Sequence, residues 1–137
     1  MSFFKVFDIA GSAMNAQNIR LNVTASNLAN AQSVGGSEET TYHARHPVFS
    51  AVMKSLQGDP EVFGVKVNQV LESDAPLDKR YQPDHPLANE EGYIFQPNVN
   101  MVDEMANMIS ASRAYQSNVE VISTSKQLMM ATLRIGQ

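Results

Sequence analysis

The chain has 137 residues, enough for one domain, and carries a formal net charge of −4. Its Lys and Arg residues are scattered singly, which excludes a basic surface of the kind that binds nucleic acid. It has no cysteine, which excludes disulfides, thiolate metal sites and a cysteine nucleophile.

Hydropathy argues against membrane insertion. The chain lacks a run of about 18 apolar residues, so we predict no membrane-spanning segment. The first residues lack the apolar stretch of a secretory signal, so we expect no cleaved Sec signal. Any export would therefore use a route that cleaves nothing.

Helix-breaking residues are confined to the middle of the chain. All 6 prolines lie between Pro47 and Pro97, and 5 of the 7 glycines lie between Gly35 and Gly92. Residues 38–91 also hold 10 of the 14 acids and 5 of the 10 bases, which leaves the two ends nearly neutral. We therefore divide the chain into an N-terminal helix at 1–31, a loop-rich β-containing middle part at 32–97 and a C-terminal helix at 98–137.

The N-terminal block has a helical period with a coiled-coil-like seam. A helix over residues 3–31 would be roughly 43 Å long at 1.5 Å per residue. Its apolar residues recur at spacings of three, four or seven, and they are Phe7, Ala10, Met14, Leu21, Ala25 and Leu28.

The middle block contains short runs of β-forming residues bounded by Gly, Pro or Asp. The valine-rich run at 62–72 and the aromatic run at 92–96 predict two strands. Residues 32–41 and 73–91 are rich in turn-forming and polar residues, and we interpret both as loops.

The C-terminal block predicts a helix over residues 99–135, roughly 55 Å long. Asn100 is a suitable N-cap with Asp103 three residues on, and Arg134 lies at the negative end of the helix dipole. One apolar stripe is predicted, formed by Met105, Met108, Tyr115, Val119, Ile122, Met129 and Leu133 and widened by Val102 and Ile109.

The expected fold class is α+β, with a coiled-coil-like pair of long helices and a small β-containing middle part. An antiparallel helix pair that is stable as a monomer is one interpretation. Polar residues at seam positions argue against it, because such residues fix register and partner at some loss of stability. These positions are Gln17 or Asn18 in the first helix and Ser112 and Lys126 in the second.

Two motifs at opposite ends of the chain resemble the axial proteins of the bacterial flagellar rod and hook. The first is Ser26-Asn27-Leu28-Ala29-Asn30. The second is Pro97-Asn98-Val99-Asn100, followed by Glu104-Met105 and by the helix segment from Met108 to Val121. Between them the chain departs from the general pattern and resembles the proximal-rod type, at Gln32 to Gly36, Tyr42 to Arg45, Asp84 to Ala88 and Gly92-Tyr93.

The resemblance implies a structural subunit that transmits torque across the periplasm. It implies that both helices form an inner layer, that the middle part lies outside, and that other rod proteins and further copies of the chain are partners in a helical assembly. It also implies export by the flagellar type III apparatus. The expected assembly interface is Phe7, Met14, Leu21, Leu28, Met105, Ile109, Tyr115, Val119, Ile122, Met129 and Leu133.

Catalytic and ligand-binding chemistry finds little support. His43 and His46 with Asp84-His85 could supply zinc ligands, but Pro47 removes the helix that would align the first pair. Glu90-Glu91 and the pair Asp59 and Glu61 are carboxylates of the kind that glycan hydrolysis uses, and they fit a solvated acidic rim better. Nucleotide-binding motifs are absent from the sequence.

We therefore expect no enzyme, no cofactor, no metal and no small-molecule substrate. The alternatives are a type III-secreted soluble adaptor or effector with helical ends and, with less support, a peptidoglycan-acting hydrolase.

Overall fold

A computed structural model describes the backbone of residues 3–56 and 59–135 and the side-chain environments of 4–52 and 64–134. Within those ranges two helices flank four strands, which confirms the predicted α+β class. In chain order the elements are α1 (Phe3–Asn30), β1 (Arg45–Leu56), β2 (Asp59–Glu72), β3 (Asp78–Tyr81), β4 (Tyr93–Gln96) and α2 (Met101–Ile135).

Both predicted helices are present, with small differences at the boundaries. Helix α1 ends at Asn30, one residue before the predicted end. Helix α2 begins at Met101 because Asn100 caps it: the Asn100 Oδ1 atom accepts from the Val102 N–H at 3.0 Å. The Asn100 carbonyl accepts the first helical bond from the Glu104 N–H at 3.0 Å. The predicted N-cap is therefore confirmed.

Strands β1 and β2 form a long antiparallel hairpin, paired from Arg45 with Glu72 to Leu56 with Asp59. The predicted strand at 62–72 is confirmed and begins earlier. Strand β1 was not predicted, since Pro47 interrupts its β-forming pattern. Proline is tolerated there because, in the described ranges, β1 has β2 as its single partner and leaves its other edge unpaired.

Strands β3 and β4 form a second small sheet, paired from Asp78 with Gln96 to Tyr81 with Tyr93. The strand predicted at 92–96 is confirmed. The loop interpretation of 73–91 is wrong at β3, whose four residues are all exposed and so show no alternation of apolar and polar side chains. Gly92 joins β4 to the preceding turn with φ +82°, a conformation that favours glycine.

Helix α1 packs against both α2 and the β1–β2 hairpin. The helices are antiparallel, and the Arg20 guanidinium donates to Asn107 Oδ1 at 2.7 Å. Towards the hairpin, the Val65 N–H donates to Ser12 Oγ at 3.2 Å. Gly64 faces the same hydroxyl, and an added Cβ would lie 3.2 Å from it. In contrast, α2 packs on no described element other than α1.

Neither helix, over its described residues, is long and apolar enough to cross a membrane.

Candidate assembly interface

Helix α2 turns one seam of residues towards α1. The seam repeats at alternating steps of four and three, as in a coiled coil, so it stays on one side of the helix. Large side chains alternate with small or polar ones, all buried or half-buried, and the residues are Glu104, Met108, Ala111, Tyr115, Asn118, Ile122, Ser125 and Met129. Ala111 is 0% exposed, which places the closest packing near this small residue.

A second apolar stripe on α2 is exposed. Its members lie on a row of alternating three- and four-residue steps that is rotated by about 100°, one residue around the helix, and the other positions of that row are polar, at Ser112, Gln116, Ser123 and Lys126. We call it the outer stripe, and its members are Val102, Met105, Ile109, Val119, Met130 and Leu133. Exposed fractions run from 43% at Val119 to 75% at Val102. The exposed apolar side chains cluster at the two ends of this row, at 102–109 and 130–133, and such clusters suit contact with another protein.

The end of α2 extends beyond α1. Because Arg20 meets Asn107, an antiparallel pair brings Phe3 beside about residue 124 of α2. Ser125 is accordingly the last buried residue of α2 in the described range. The following turns, about 15 Å of helix, carry Leu128, Met130 and Leu133, each at least half exposed. In this overhang Met129 is half-buried, and the other described residues are exposed.

The eleven predicted interface residues fall into three groups. Phe7, Met14, Leu21 and Leu28 lie half-buried on α1. Tyr115, Ile122 and Met129 belong to the seam that faces α1. Met105, Ile109, Val119 and Leu133 belong to the outer stripe.

The expectation of a single stripe on α2 is therefore corrected. Two heptad rows one residue apart overlap in sequence, and spacing alone cannot separate them. The role of these residues in assembly stays a prediction.

The polar positions that were predicted to interrupt the apolar stripes of the two helices also differ in burial. Gln17 is half-buried, whereas Asn18 and Lys126 are exposed. The Gln17 Oε1 atom is buried and has no hydrogen-bond partner among the described residues. A buried acceptor without a partner costs free energy, so this position opposes simple apolar packing of the two helices.

Asn27 of the first motif is almost fully buried, at 1% exposure, and holds the start of the hairpin. Its Nδ2 donates to the Arg45 carbonyl at 2.8 Å. Its Oδ1 accepts from the Arg45 N–H at 3.0 Å and from the Tyr42 hydroxyl at 2.8 Å. Both backbone groups of Arg45 are thus satisfied by one side chain.

Asn98 of the second motif binds Ala44, the residue before Arg45, and also the segment that follows β2. Its Oδ1 accepts from the Ala44 N–H at 2.7 Å. Its Nδ2 donates to the Ala75 carbonyl at 2.8 Å and to the Ser73 carbonyl at 3.3 Å, just after β2 ends. We call Asn27, Tyr42, Ala44, Arg45 and Asn98 the joint.

The sequence did not predict this role for either asparagine. Asparagine is a weak helix former, but the Asn27 side chain offers one acceptor and two donors to a neighbouring segment. The signal was present in the motifs themselves, because each motif includes one of the two clamping side chains. What sequence could not supply was their common target at Ala44 and Arg45.

The candidate ligand-binding residues do not come together. His43 Nδ1 lies 3.2 Å from the Ser73 carbonyl oxygen and Nε2 lies 3.3 Å from that of Glu38, while His85 Nδ1 accepts from the Leu87 N–H at 3.1 Å. In the described residues no group of three His, Asp or Glu side chains could hold a metal.

Glu90 and Glu91 are exposed, and the side chains of Asp59 and Glu61 lie outside the described residues. The expectations of no metal and no enzyme stay predictions.

Comparisons with known proteins point to one class. The family described as "Flagella basal body rod protein" matches residues 7–35, which span most of α1 and the first motif. The family described as "Flagellar basal body rod FlgEFG protein C-terminal" matches residues 90–135, which span β4, the second motif and α2. Each match contains one asparagine of the joint, and the class is that of flagellar rod proteins.

Proteins similar to this chain along its whole length identify one member of the class of flagellar rod proteins. The chain is 50% identical over 137 residues to the flagellar basal-body rod protein FlgC of Yersinia enterocolitica and to that of Salmonella typhimurium. It is 50% identical over 139 residues to the FlgC protein of Escherichia coli O157:H7. In each comparison 100% of both chains is covered. The chain belongs to the FlgC family of flagellar basal-body rod proteins.

Proposed function

We propose that this chain is a structural subunit of the proximal rod of the bacterial flagellar basal body and transmits torque across the periplasm. The observation that carries the proposal is the outer stripe of α2 together with the overhang. Those apolar surfaces are left uncovered by the described chain, and other subunits would cover them. The full-length likeness to rod proteins supports this role over that of a secreted adaptor.

The partners are other rod proteins and further copies of this chain. The outer stripe and the half-buried apolar residues of α1 lie on different faces of the helix pair, so a contact between them would be head-to-tail. Head-to-tail contacts that do not close into a ring build helical assemblies. The motor's torque would then pass between subunits through packed helices.

Export by the flagellar type III apparatus without cleavage would place the chain in the rod within the periplasm. The subunit acts through its contacts rather than through chemistry. In support, the histidines and the described carboxylates do not form a shared site, and the relatives are named as rod proteins.

Electron cryomicroscopy of basal bodies from cells whose only copy of this chain carries a peptide tag tests the proposal. We expect tag density at the proximal rod and helical density that fits α1 and α2. Cells that lack the chain should have no rod and should regain it on complementation. A complete rod without the chain, or a tag found elsewhere, would overturn the proposal.

A further inference from the structure

Two motifs that lie 71 positions apart, at Asn27 and Asn98, converge on consecutive residues, Ala44 and Arg45. Asn27 binds both backbone groups of Arg45, and Asn98 binds the N–H of Ala44. Neither side chain points to the outer stripe. The motif residues thus join parts of one chain to each other rather than one subunit to the next.

The joint lies where both legs of the hairpin meet the rest of the chain. Arg45 is the first residue of β1 and pairs with Glu72, the last residue of β2. The Ser73 N–H donates to the Ala44 carbonyl at 2.7 Å, which ties the two legs together. The Arg45–Glu72 ion pair at 2.9 Å is exposed and adds little. The asparagines therefore fix the base of the hairpin to the start of α2 and the end of α1.

A second attachment holds the hairpin along α1. From Asn27 to Ser12 the helix runs about 22 Å at 1.5 Å per residue. From Glu72 to Val65 strand β2 covers about 23 Å at 3.3 Å per residue. The matched lengths bring the Val65 N–H to Ser12 Oγ and let Gly64 approach the helix closely. The hairpin is thus held at its base and again about halfway along.

We propose that Asn27 and Asn98 are positioning residues that lock the hairpin, α1 and α2 into one rigid body before assembly. This inference deepens the proposed function, on which its role in the rod rests. A subunit with a fixed hairpin direction loses less conformational freedom when it assembles. In such a subunit a rotation of the helices is also transmitted to the hairpin, because the two move as one rigid body. The folded single chain already contains this coupling, so it can be measured without a flagellum.

Distance measurement between paired spin labels tests the joint in the isolated chain. The natural sequence has no cysteine, so introduced pairs are labelled cleanly. Lys66→Cys with Gln116→Cys reports the hairpin relative to α2, and Asn18→Cys with Gln116→Cys reports α1 relative to α2; all three positions are exposed. Both pairs should give narrow distance distributions in the otherwise natural chain.

The decisive variant combines Asn27→Leu with Asn98→Leu, which removes the amides at similar volume, and it is compared with its parent in a Ser12→Ala background because the Val65–Ser12 attachment lies beside the Lys66 label. We expect the hairpin–α2 distribution to broaden at least twofold while the α1–α2 distribution keeps its width. An unchanged hairpin–α2 width would overturn the proposal, and so would equal broadening of both pairs in a chain that still melts cooperatively. If the double variant does not fold, Tyr42→Phe removes one hydroxyl from the joint. Selective broadening then supports the proposal, and no broadening overturns it.

Cells expressing the variants separate this inference from the proposed function. We expect the double variant to be exported but to lose swimming, while Asn22→Leu, a matched change at an exposed asparagine of α1, keeps it. Selective broadening combined with normal swimming would overturn the role of the joint in the rod. If tagged natural chain lies outside the rod while the distances still broaden, the proposed function fails and the joint stands.

Discussion

The two long helices have similar apolar patterns but different surroundings. Helix α1 packs against both α2 and the hairpin, and its apolar residues are mostly half-buried within the chain. Helix α2 has α1 as its single neighbour among the described elements, and six apolar residues remain in an exposed row. Burial inside the subunit thus falls mainly to α1, whereas α2 keeps exposed apolar side chains that we propose for contact with other subunits.

The largest expected effect is a difference in unfolding free energy between substitutions on the two faces of α2, at Ala111 and Ile109. Ala111 is 0% exposed, so Ala111→Asp buries a charge against α1 and should cost more than about 3 kcal/mol of unfolding free energy. Ile109 is 53% exposed, and Ile109→Asp should change that free energy by less than about 0.5 kcal/mol. Urea denaturation of the purified chains measures both. Equal losses would show that the two faces are not distinct.

Replacement of Leu133 tests the overhang. Leu133→Asp puts a charge into the proposed contact and opposes the helix dipole, at about 2–3 kcal/mol for each interface. We expect an exported, folded subunit and cells without a completed rod, as seen in purified basal bodies. Ala131→Asp is the control, since it adds the same charge in the same turn at an exposed position off the outer stripe. Normal swimming of the Leu133 variant would remove this residue from the interface.

In a dilute solution of the chain, amide hydrogen exchange rates should differ along the two helices. The overhang after Ser125 has few contacts and should exchange fastest. The end of α1 near Asn27, which the joint holds, should exchange slowest of the helical segments. Uniform protection along α2 would mean that the overhang is covered in the single chain.

The smallest expected effect concerns the hairpin side of α1. Ser12→Ala removes the acceptor for the Val65 N–H and should cost about 1 kcal/mol. Alanine favours helix slightly more than serine, so Ser110→Ala at an exposed site of α2 is the matched control. Thermal unfolding of both variants gives the difference. No difference between them would show that this hydrogen bond does not hold the hairpin.

The sequence predicted which segments form helices and strands better than it predicted which segments pair or pack with each other. Asn100 as a cap and the confinement of proline to the middle fixed the helix boundaries within two residues, because these signals are local. Strand β3 and strand β1 at Pro47 were missed, because their pairing depends on residues far along the chain.

The candidate site shows the same limit. Spacing identified Tyr115 and Val119 as one stripe, although the first faces α1 and the second faces outward. The two faces of α2 lie only about 100° apart, and which one meets α1 depends on how the whole chain packs. The joint was hidden for the same reason, since Asn27 and Asn98 find a common target only after folding.

Thiol labelling tests most directly the claim that the outer stripe is open in the free chain and covered in the rod. Ile109→Cys would be the single cysteine of the chain, and Ala111→Cys would serve as a control that is buried in both states. We expect a maleimide to label Ile109→Cys at least tenfold faster in the purified chain than in isolated basal bodies, and Ala111→Cys slowly in both. Equal rates for Ile109→Cys in the free chain and the basal body would contradict the account.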